Sequence, residues 1–268
     1  MKIERGELEK TTLQWLDNNI TDGDYDNWST SYLAHRKYRL YKYQNPFAFP
    51  DSRERFFTQL STNTLSLSAP SVFNDPFDCR FAIPPTFGEE TMGMIGKLVD
   101  SMWRVGSLTE RPDNLLMWAH YAGAYRGVCI EYDFSDFSEE KEQCSLMPVI
   151  YRSSRVSLPD KILGQILGQL DQTVLKPDLK QLSKVFFIKS KDWQYEFEWR
   201  LLKNVEGEDS KAKYTTFKMP PIKRIYLGAQ CSIEQGWIYD TLREICDANR
   251  IEIVKTCINT ESYKIDIL

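Results

Sequence analysis

The chain predicts an α+β fold with mixed, largely antiparallel sheets and flanking helices. Three observations carry this. Strand-like runs are more numerous than a helical domain needs. They do not alternate with helices in the rhythm that builds a parallel sheet. Aromatic residues make up 13% of the 268 residues, which favours strands and aromatic-lined clefts over a helix bundle. The length suits one large domain or two small ones, and no internal repeat, low-complexity run or linker divides it. We expect a single domain over residues 1–268.

Residues 1–35 read as an N-terminal appendage. A short helical pattern (Leu13, Trp15, Leu16) is followed by a loop rich in Asp, Gly and Asn. Tyr38 to Tyr43 is the first strand, ended by Asn45-Pro46. Pro50-Asp51-Ser52 can start a helix reaching Leu60. Thr64 to Ser68 alternates as a strand and stops at Pro70. Ser71 to Asp78 is a compact turn in which Asn, Asp and Pro set the backbone. Helices are expected from Glu89 to Trp103 and from Asp113 to Ala122. Strands follow at Gly127–Tyr132 and Met147–Tyr151. Leu158 to Val185 is mostly helical, with an interruption at Pro177. Lys211–Lys218 and Ile222–Leu227 are further strands. Ser232 to Asn249 is the most regular helix, and Ile251–Cys257 and Tyr263–Ile267 close the chain as strands.

Composition narrows the function classes. The net charge is -4 and there is no long basic run, so a broad nucleic-acid footprint is not indicated. The polar first residues do not read as a signal peptide, and no window is long and apolar enough for a membrane span. The six cysteines contain no Cys-x-x-Cys pair, and with only two histidines a zinc site is hard to build. Buried free thiols in a cytoplasmic protein fit this usage. Phosphate-binding glycine loops, His-Glu-x-x-His and Gly-x-Ser-x-Gly are all absent from the sequence.

The densest chemistry lies in Lys189-Ser190-Lys191-Asp192-Trp193-Gln194-Tyr195-Glu196-Phe197-Glu198-Trp199-Arg200-Leu201. Read as a strand, alternate residues share a face. Tyr195, Phe197, Trp199 and Leu201 then form a packing face. Glu196, Glu198 and Arg200 stand together on the other. Two carboxylates so placed raise each other's pKa, and the arginine offsets this. The face is either reactive or a solvated surface of ordinary ion pairs. Asn74-Asp75-Pro76-Phe77-Asp78 is either a rigid binding turn or a turn held by its own side chains. His120, near Gly123, Arg126 and Gly127, is either a candidate beside a cleft or, as a lone histidine more often is, a structural residue. Lys42 lies between Tyr41 and Tyr43, where it either meets a phosphate, with the rings placed to stack a nicotinamide or adenine, or simply reaches solvent.

These same segments resemble a bacterial family catalogued as domain of unknown function 2971. The resemblance lies in Leu40-Tyr41-Lys42-Tyr43, Leu65-Ser66-Leu67-Ser68 with Phe73-Asn74-Asp75-Pro76-Phe77-Asp78, Met117-Trp118-Ala119-His120-Tyr121-Ala122 followed by Arg126-Gly127-Val128-Cys129-Ile130, the 191–201 motif and Ile225-Tyr226-Leu227-Gly228. The order of motifs is also similar, more weakly, to that of ADP-ribosyltransferases. That likeness implies an ADP-ribosyltransferase-like fold with NAD as the bound nucleotide. Lys42 or Tyr43 would be its first element, Ser68 the second and Glu196 with Glu198 the third. Glu198 would stabilise the ribosyl cation and Glu196 would align the acceptor. Asn74, Asp75, His120 and Arg200 would contact the nucleotide. Lys42 stands where Arg or His is usual, and Ser66-Leu67-Ser68 replaces the common Ser-Thr-Ser. The acceptor would be a protein or nucleic acid, in a toxin or anti-phage setting that includes a possible antitoxin or defence partner. Two other classes stay open. One is a metal-dependent nuclease or hydrolase using Asp75, Asp78, Glu196 and Glu198. The other is a non-catalytic ligand sensor or antitoxin-type partner.

Overall fold

The computed structural model describes residues 3–82, 88–157, 179–233 and 236–268. Two helices open the chain, α1 (Arg5–Leu16) and α2 (Asp22–His35), the second started by a Thr21–Asp24 capping box. Then follow β1 (Arg39–Gln44), α3 (Pro50–Thr62), β2 (Thr64–Ser68), α4 (Gly88–Met102), β3 (Trp103–Thr109) and α5 (Leu115–Tyr121). The middle of the chain holds β4 (Val128–Asp133), α6 (Glu139–Glu142), β5 (Cys144–Pro148), β6 (Ile150–Arg152), α7 (Leu179–Phe187), β7 (Ile188–Ser190) and β8 (Glu198–Asn204). The chain closes with β9 (Tyr214–Lys218), β10 (Ile222–Leu227), α8 (Trp237–Asn249), β11 (Glu252–Ile258) and β12 (Ile265–Ile267). The helix expected over 158–178 lies outside the described residues.

The fold is α+β, with a mixed and largely antiparallel sheet flanked by helices. Its path runs β12-β11-β10-β4-β1-β3-β2-β9, and β8 joins β3 to β5. Within this path only β10 and β11 run parallel. A separate two-stranded sheet pairs β6 with β7, also parallel.

One strand organises the sheet. Along one edge, β3 pairs with β8 from Trp103↔Asn204 to Thr109↔Glu198. Its other edge is shared by two strands that diverge. β1 meets it at Tyr41↔Thr109 and β2 at Ser68↔Val105. Between those contacts the sheet splits, and the main chain of Gly106 to Leu108 faces the gap. β3 carries no strand signal of its own, because Arg104 and Gly106 break its apolar alternation. Tertiary structure accommodates both. Arg104 is buried and donates to the carbonyls of Asp100, Trp103, Asp209 and Ala212. Gly106 lies where a Cβ would come within 2.5 Å of Leu67.

The N-terminal helices are not an appendage. Leu8, Tyr32 and Leu33 pack with Leu40, Leu108 and Trp199 in the main core, and Leu16 and Tyr25 join a second core with Met147, Phe186 and Leu202. A few buried residues on α1 and α2, Leu8, Leu16, Tyr25, Tyr32 and Leu33, cover the sheet because the sheet offers apolar residues that need covering. A buried carboxylate fixes the junction. Glu110 accepts from Arg5 at 2.5 Å, Arg36 at 2.8 Å, Tyr32 at 2.8 Å and the Trp199 indole at 2.7 Å.

The link from α5 to β4 needs an unusual backbone. Gly123, Ala124 and Tyr125 have φ of 56°, 53° and 66°, a left-handed run that costs L residues about 1–2 kcal/mol each. Close packing holds it. A Cβ on Gly127 would sit 2.1 Å from the Gln44 carbonyl, and one on Gly228 would sit 2.2 Å from the Tyr125 carbonyl.

Leu8→Ala tests the integral role of α1. We expect a loss of about 2–5 kcal/mol in urea unfolding, whereas an appendage would leave the midpoint unchanged.

Candidate functional site

The 189–201 motif is not one strand. Residues Lys191–Glu196 form a 3-10 turn, which ends at Phe197 with φ 46° and ψ 46°, and β8 begins at Glu198. Trp199 and Leu201 are buried as a packing face, while Tyr195 and Phe197 belong to the turn and are half-buried. Glu196 and Glu198 still converge, for a different reason. The left-handed Phe197 swings the turn so that both carboxylates reach the Lys189 ammonium, at 2.6 Å and 3.2 Å. The Thr109 hydroxyl donates to the Glu196 carbonyl and holds that turn to the end of β3.

The carboxylates are not on a solvated surface. Glu196 and Glu198 are each 3% exposed and Arg200 is 0% exposed. Arg200 grips Asp78 through two nitrogens at 2.9 Å and 2.6 Å and donates to Glu198 at 2.8 Å and 3.1 Å. It also donates to the Phe186 carbonyl at 2.6 Å. Lys189 lies 3.5 Å from Asp78 as well. Three buried carboxylates therefore share two buried cations. Such groups keep their charge only when paired.

This arrangement splits the two glutamates. Burial alone would raise Glu198, but Arg200 and then Lys189 outweigh it and hold it well below the usual carboxylate range. A carboxylate offers about four acceptor positions. Those of Glu198 are taken by Arg200 (twice), Lys189 and the Ser107 hydroxyl. Glu196 accepts from Tyr121 at 2.6 Å and from Lys189 at 2.6 Å, and it keeps acceptor capacity. Burial, followed by the charge of Glu198, pushes its pKa up to about 7.

Both glutamates face a cavity of about 290 Å³ at the split between β1 and β2. Tyr41, Lys42 and Tyr43 of β1 line it, together with Ser107, Leu108 and Thr109 of β3. Val72, Phe73, Asn74 and Asp78 of the turn, Met117 and Tyr121 of α5, and Lys189 complete the wall. Asn74 is hydrogen-bonded to Tyr121, and the Lys42 ammonium donates to the Ser107 carbonyl at 2.9 Å.

Of the residues expected from the sequence, Lys42, Tyr43, Asn74, Glu196 and Glu198 therefore meet in one cavity. Arg200 stands behind Glu198 and does not line it. Three others lie elsewhere. Ser68 pairs with Val105 and Tyr214, at the far end of the split. Asp75 caps its own turn by accepting from the Phe77 amide at 2.9 Å, and it borders a different hollow. His120 is exposed and hydrogen-bonded to the Tyr195 hydroxyl at 3.1 Å. Sequence reasoning gave Lys189, Tyr121 and Ser107 no role. The one signal for Lys189 is a lone lysine closing the apolar run Val185-Phe186-Phe187-Ile188.

Among the described residues, no group of three His, Cys, Asp or Glu side chains is disposed to hold a metal ion. The charge of Asp78, Glu196 and Glu198 is met by Lys189 and Arg200. Among the described residues, no helix is long and apolar enough to cross a membrane.

Residues 117–201 match the model of a family described as Protein of unknown function (DUF2971). The matched segment supplies Met117, Tyr121, Lys189, Glu196, Glu198 and Arg200. Lys42, Phe73, Asn74 and Asp78 reach the same cavity from outside the matched stretch. No curated protein and no solved structure matches the chain.

Two predictions follow from these charges. Arg200→Met leaves Asp78 and Glu198 with Lys189 as their remaining buried cation. The expected loss is about 3–5 kcal/mol in chemical denaturation. Glu196 binds its proton more tightly folded than unfolded, so its contribution to stability is full below about pH 4 and is lost as pH rises through about 7. The melting temperature of wild type relative to Glu196→Gln should therefore fall between pH 5 and pH 8. A constant difference would show that Glu196 ionises as in the unfolded chain.

Proposed function

We propose that the cavity is a catalytic site for cleaving the bond between a ribose and its base, with NAD as the substrate and ADP-ribose transfer as the outcome. One observation carries this reading. Two buried glutamates on one ammonium are driven to opposite protonation behaviour, and only Glu196 has free acceptor positions facing an aromatic-walled cavity. Pairs of carboxylates whose environments separate them in this way suit one fixed charge and one proton-transfer group.

The roles differ from those implied by the family resemblance. Glu198 is saturated, so it acts as a fixed charge that keeps Lys189 in place. Glu196 is the group able to hold a ribose hydroxyl or take the proton of the attacking acceptor. As the ribosyl cation develops, nicotinamide leaves uncharged, the acceptor oxygen bonds to the ribose carbon, and its proton passes to Glu196. Tyr41, Tyr43, Phe73 and Tyr121 offer ring surfaces to the nicotinamide and ribose. The cavity volume of about 290 Å³ lies just below the ~300–1,000 Å³ of ligand pockets. It therefore suits that part of NAD, with the adenylate half outside. Ser68, the serine element of the transferase order, takes no part.

The acceptor is a protein or nucleic acid, with water as the default. A toxin or anti-phage role, with a matching antitoxin or defence partner, would follow from such transfer. A second reading, a ligand sensor that binds without turnover, is favoured by the complete satisfaction of Glu198.

The test is nicotinamide release from NAD by the purified chain, with and without cell extract. We expect metal-independent release that rises with pH through about 7 and falls roughly 10²-fold or more in Glu196→Gln. Undiminished release by that variant would overturn the assignment. Saturable NAD binding without release would favour the sensor.

A further inference from the structure

The cavity contains two lysines in opposite circumstances. Lys189 lies within 3.5 Å of three carboxylates, Asp78, Glu196 and Glu198. Burial opposes its charge, but these carboxylates keep it protonated. Lys42 has no such partner among the described residues. Its ammonium donates to a main-chain carbonyl, Ser107 at 2.9 Å, in the gap where β1 and β2 part. No carboxylate lies within ion-pair distance of it among the described residues. Glu196 and Glu198 have already given their charge to Lys189 and Arg200. Burial, opposed by the more distant Glu198 and Glu196, lowers the pKa of Lys42.

A half-buried amine without a carboxylate within ion-pair distance, beside a second cation and facing a cavity, is a recurring form of activated nitrogen nucleophile. The other parts needed for attack on a carbonyl are present. Glu196 has acceptor capacity and exchanges a proton near neutrality. Tyr121 bonds to Glu196, and Ser107 holds the amine toward the split.

We infer that Lys42 is a nucleophilic amine that captures the open-chain aldehyde of a ribose as an imine. The inference rests on the glycosidic reading only in taking that aldehyde to be the ribose freed at this site. The uncharged Lys42 nitrogen bonds to the aldehyde carbon, and the carbonyl oxygen becomes a hydroxyl by gaining a proton from Glu196. One nitrogen proton returns to Glu196. The hydroxyl then leaves as water with the proton that Glu196 delivers, and the nitrogen–carbon double bond forms. No oxidant or reductant is consumed. Lys189 cannot replace Lys42, because three carboxylates hold its proton.

The experiment uses the full chain, ADP-ribose as the probe and cyanoborohydride to reduce any imine, followed by peptide mass mapping. ADP-ribose presents a terminal ribose whose ring opens to the aldehyde. We expect the reduced adduct on Lys42 to form roughly tenfold or more faster than on an exposed lysine such as Lys211, whose side chain is 72% exposed. Glu196→Gln should slow the adduct at Lys42 and leave labelling at Lys211 unchanged. Equal labelling of Lys42 and Lys211 in the wild-type chain would overturn the inference without recourse to any variant. Lys42→Met, checked for an unchanged melting profile, should lose the fast adduct. A parallel arm with NAD separates the two claims. Nicotinamide release without capture at Lys42 defeats the inference and leaves the glycosidic reading standing. Capture from ADP-ribose without release from NAD supports the inference and defeats that reading.

Discussion

The structure depends most on the guanidinium of Arg200. It is fully buried, and it ties together three parts of the chain that are distant in sequence. Asp78 comes from the turn after β2, Glu198 from the start of β8, and the Phe186 carbonyl from the end of α7. Phe73 lies under the guanidinium, with its ring centre 5.5 Å away. A planar fork with five donors suits this task, whereas a lysine would satisfy one carboxylate at a time. Apolar residues could fill the same volume at no loss of stability, as often holds for buried ion pairs. What apolar residues could not do is keep Glu198 ionised, Lys189 protonated and Glu196 free. The network is thus better explained by the cavity it shapes than by the stability it adds.

A second buried charge, Glu110, lies on the other side of Trp199. It gathers Arg5 and Arg36 from the first two helices and the Trp199 indole from β8. Arg5 continues from there to the carbonyls of Val149 and Glu198 at 2.7 Å and 2.9 Å. The backbone of Glu198 is therefore held by the N-terminal helix, while its side chain is held by Arg200 and Lys189. Helix packing, which began as coverage of an apolar sheet, also sets the position of a carboxylate in the cavity. Trp199 between the two hubs is fully buried and excludes water from both, which strengthens each ion pair.

The legible parts of the fold share a physical cause. Thr64–Ser68 and Tyr214–Lys218 alternate because one face is buried and the other is not. Pro50 starts α3, and Asn63 ends it in the left-handed region. β3 breaks this pattern because it lies at the sheet branch, and its arginine and glycine answer to distant partners. The first two helices looked detached for a similar reason. Their apolar residues are few, and each is spent on a remote contact. In the site, Lys42, Tyr43, Asn74, Glu196 and Glu198 were legible as unusual polar residues next to aromatic ones. Ser68, Asp75 and His120 carried similar local signals and point elsewhere, since a local signal does not say which end of a split sheet a side chain faces.

By itself the sequence determined the class of the fold, most strand positions and the importance of the Glu196-Phe197-Glu198 stretch. These depend on short-range periodicity and on residue types that the chain displays directly. Only the tertiary structure decided how that stretch works. Alternation implied two equivalent carboxylates on one strand face. Phe197 turns left-handed instead, one glutamate is saturated by buried cations, and the other stays open to a cavity. That difference arises from desolvation and from partners about ninety residues away or more, Asp78 and Ser107 among them. No window of neighbouring residues contains either.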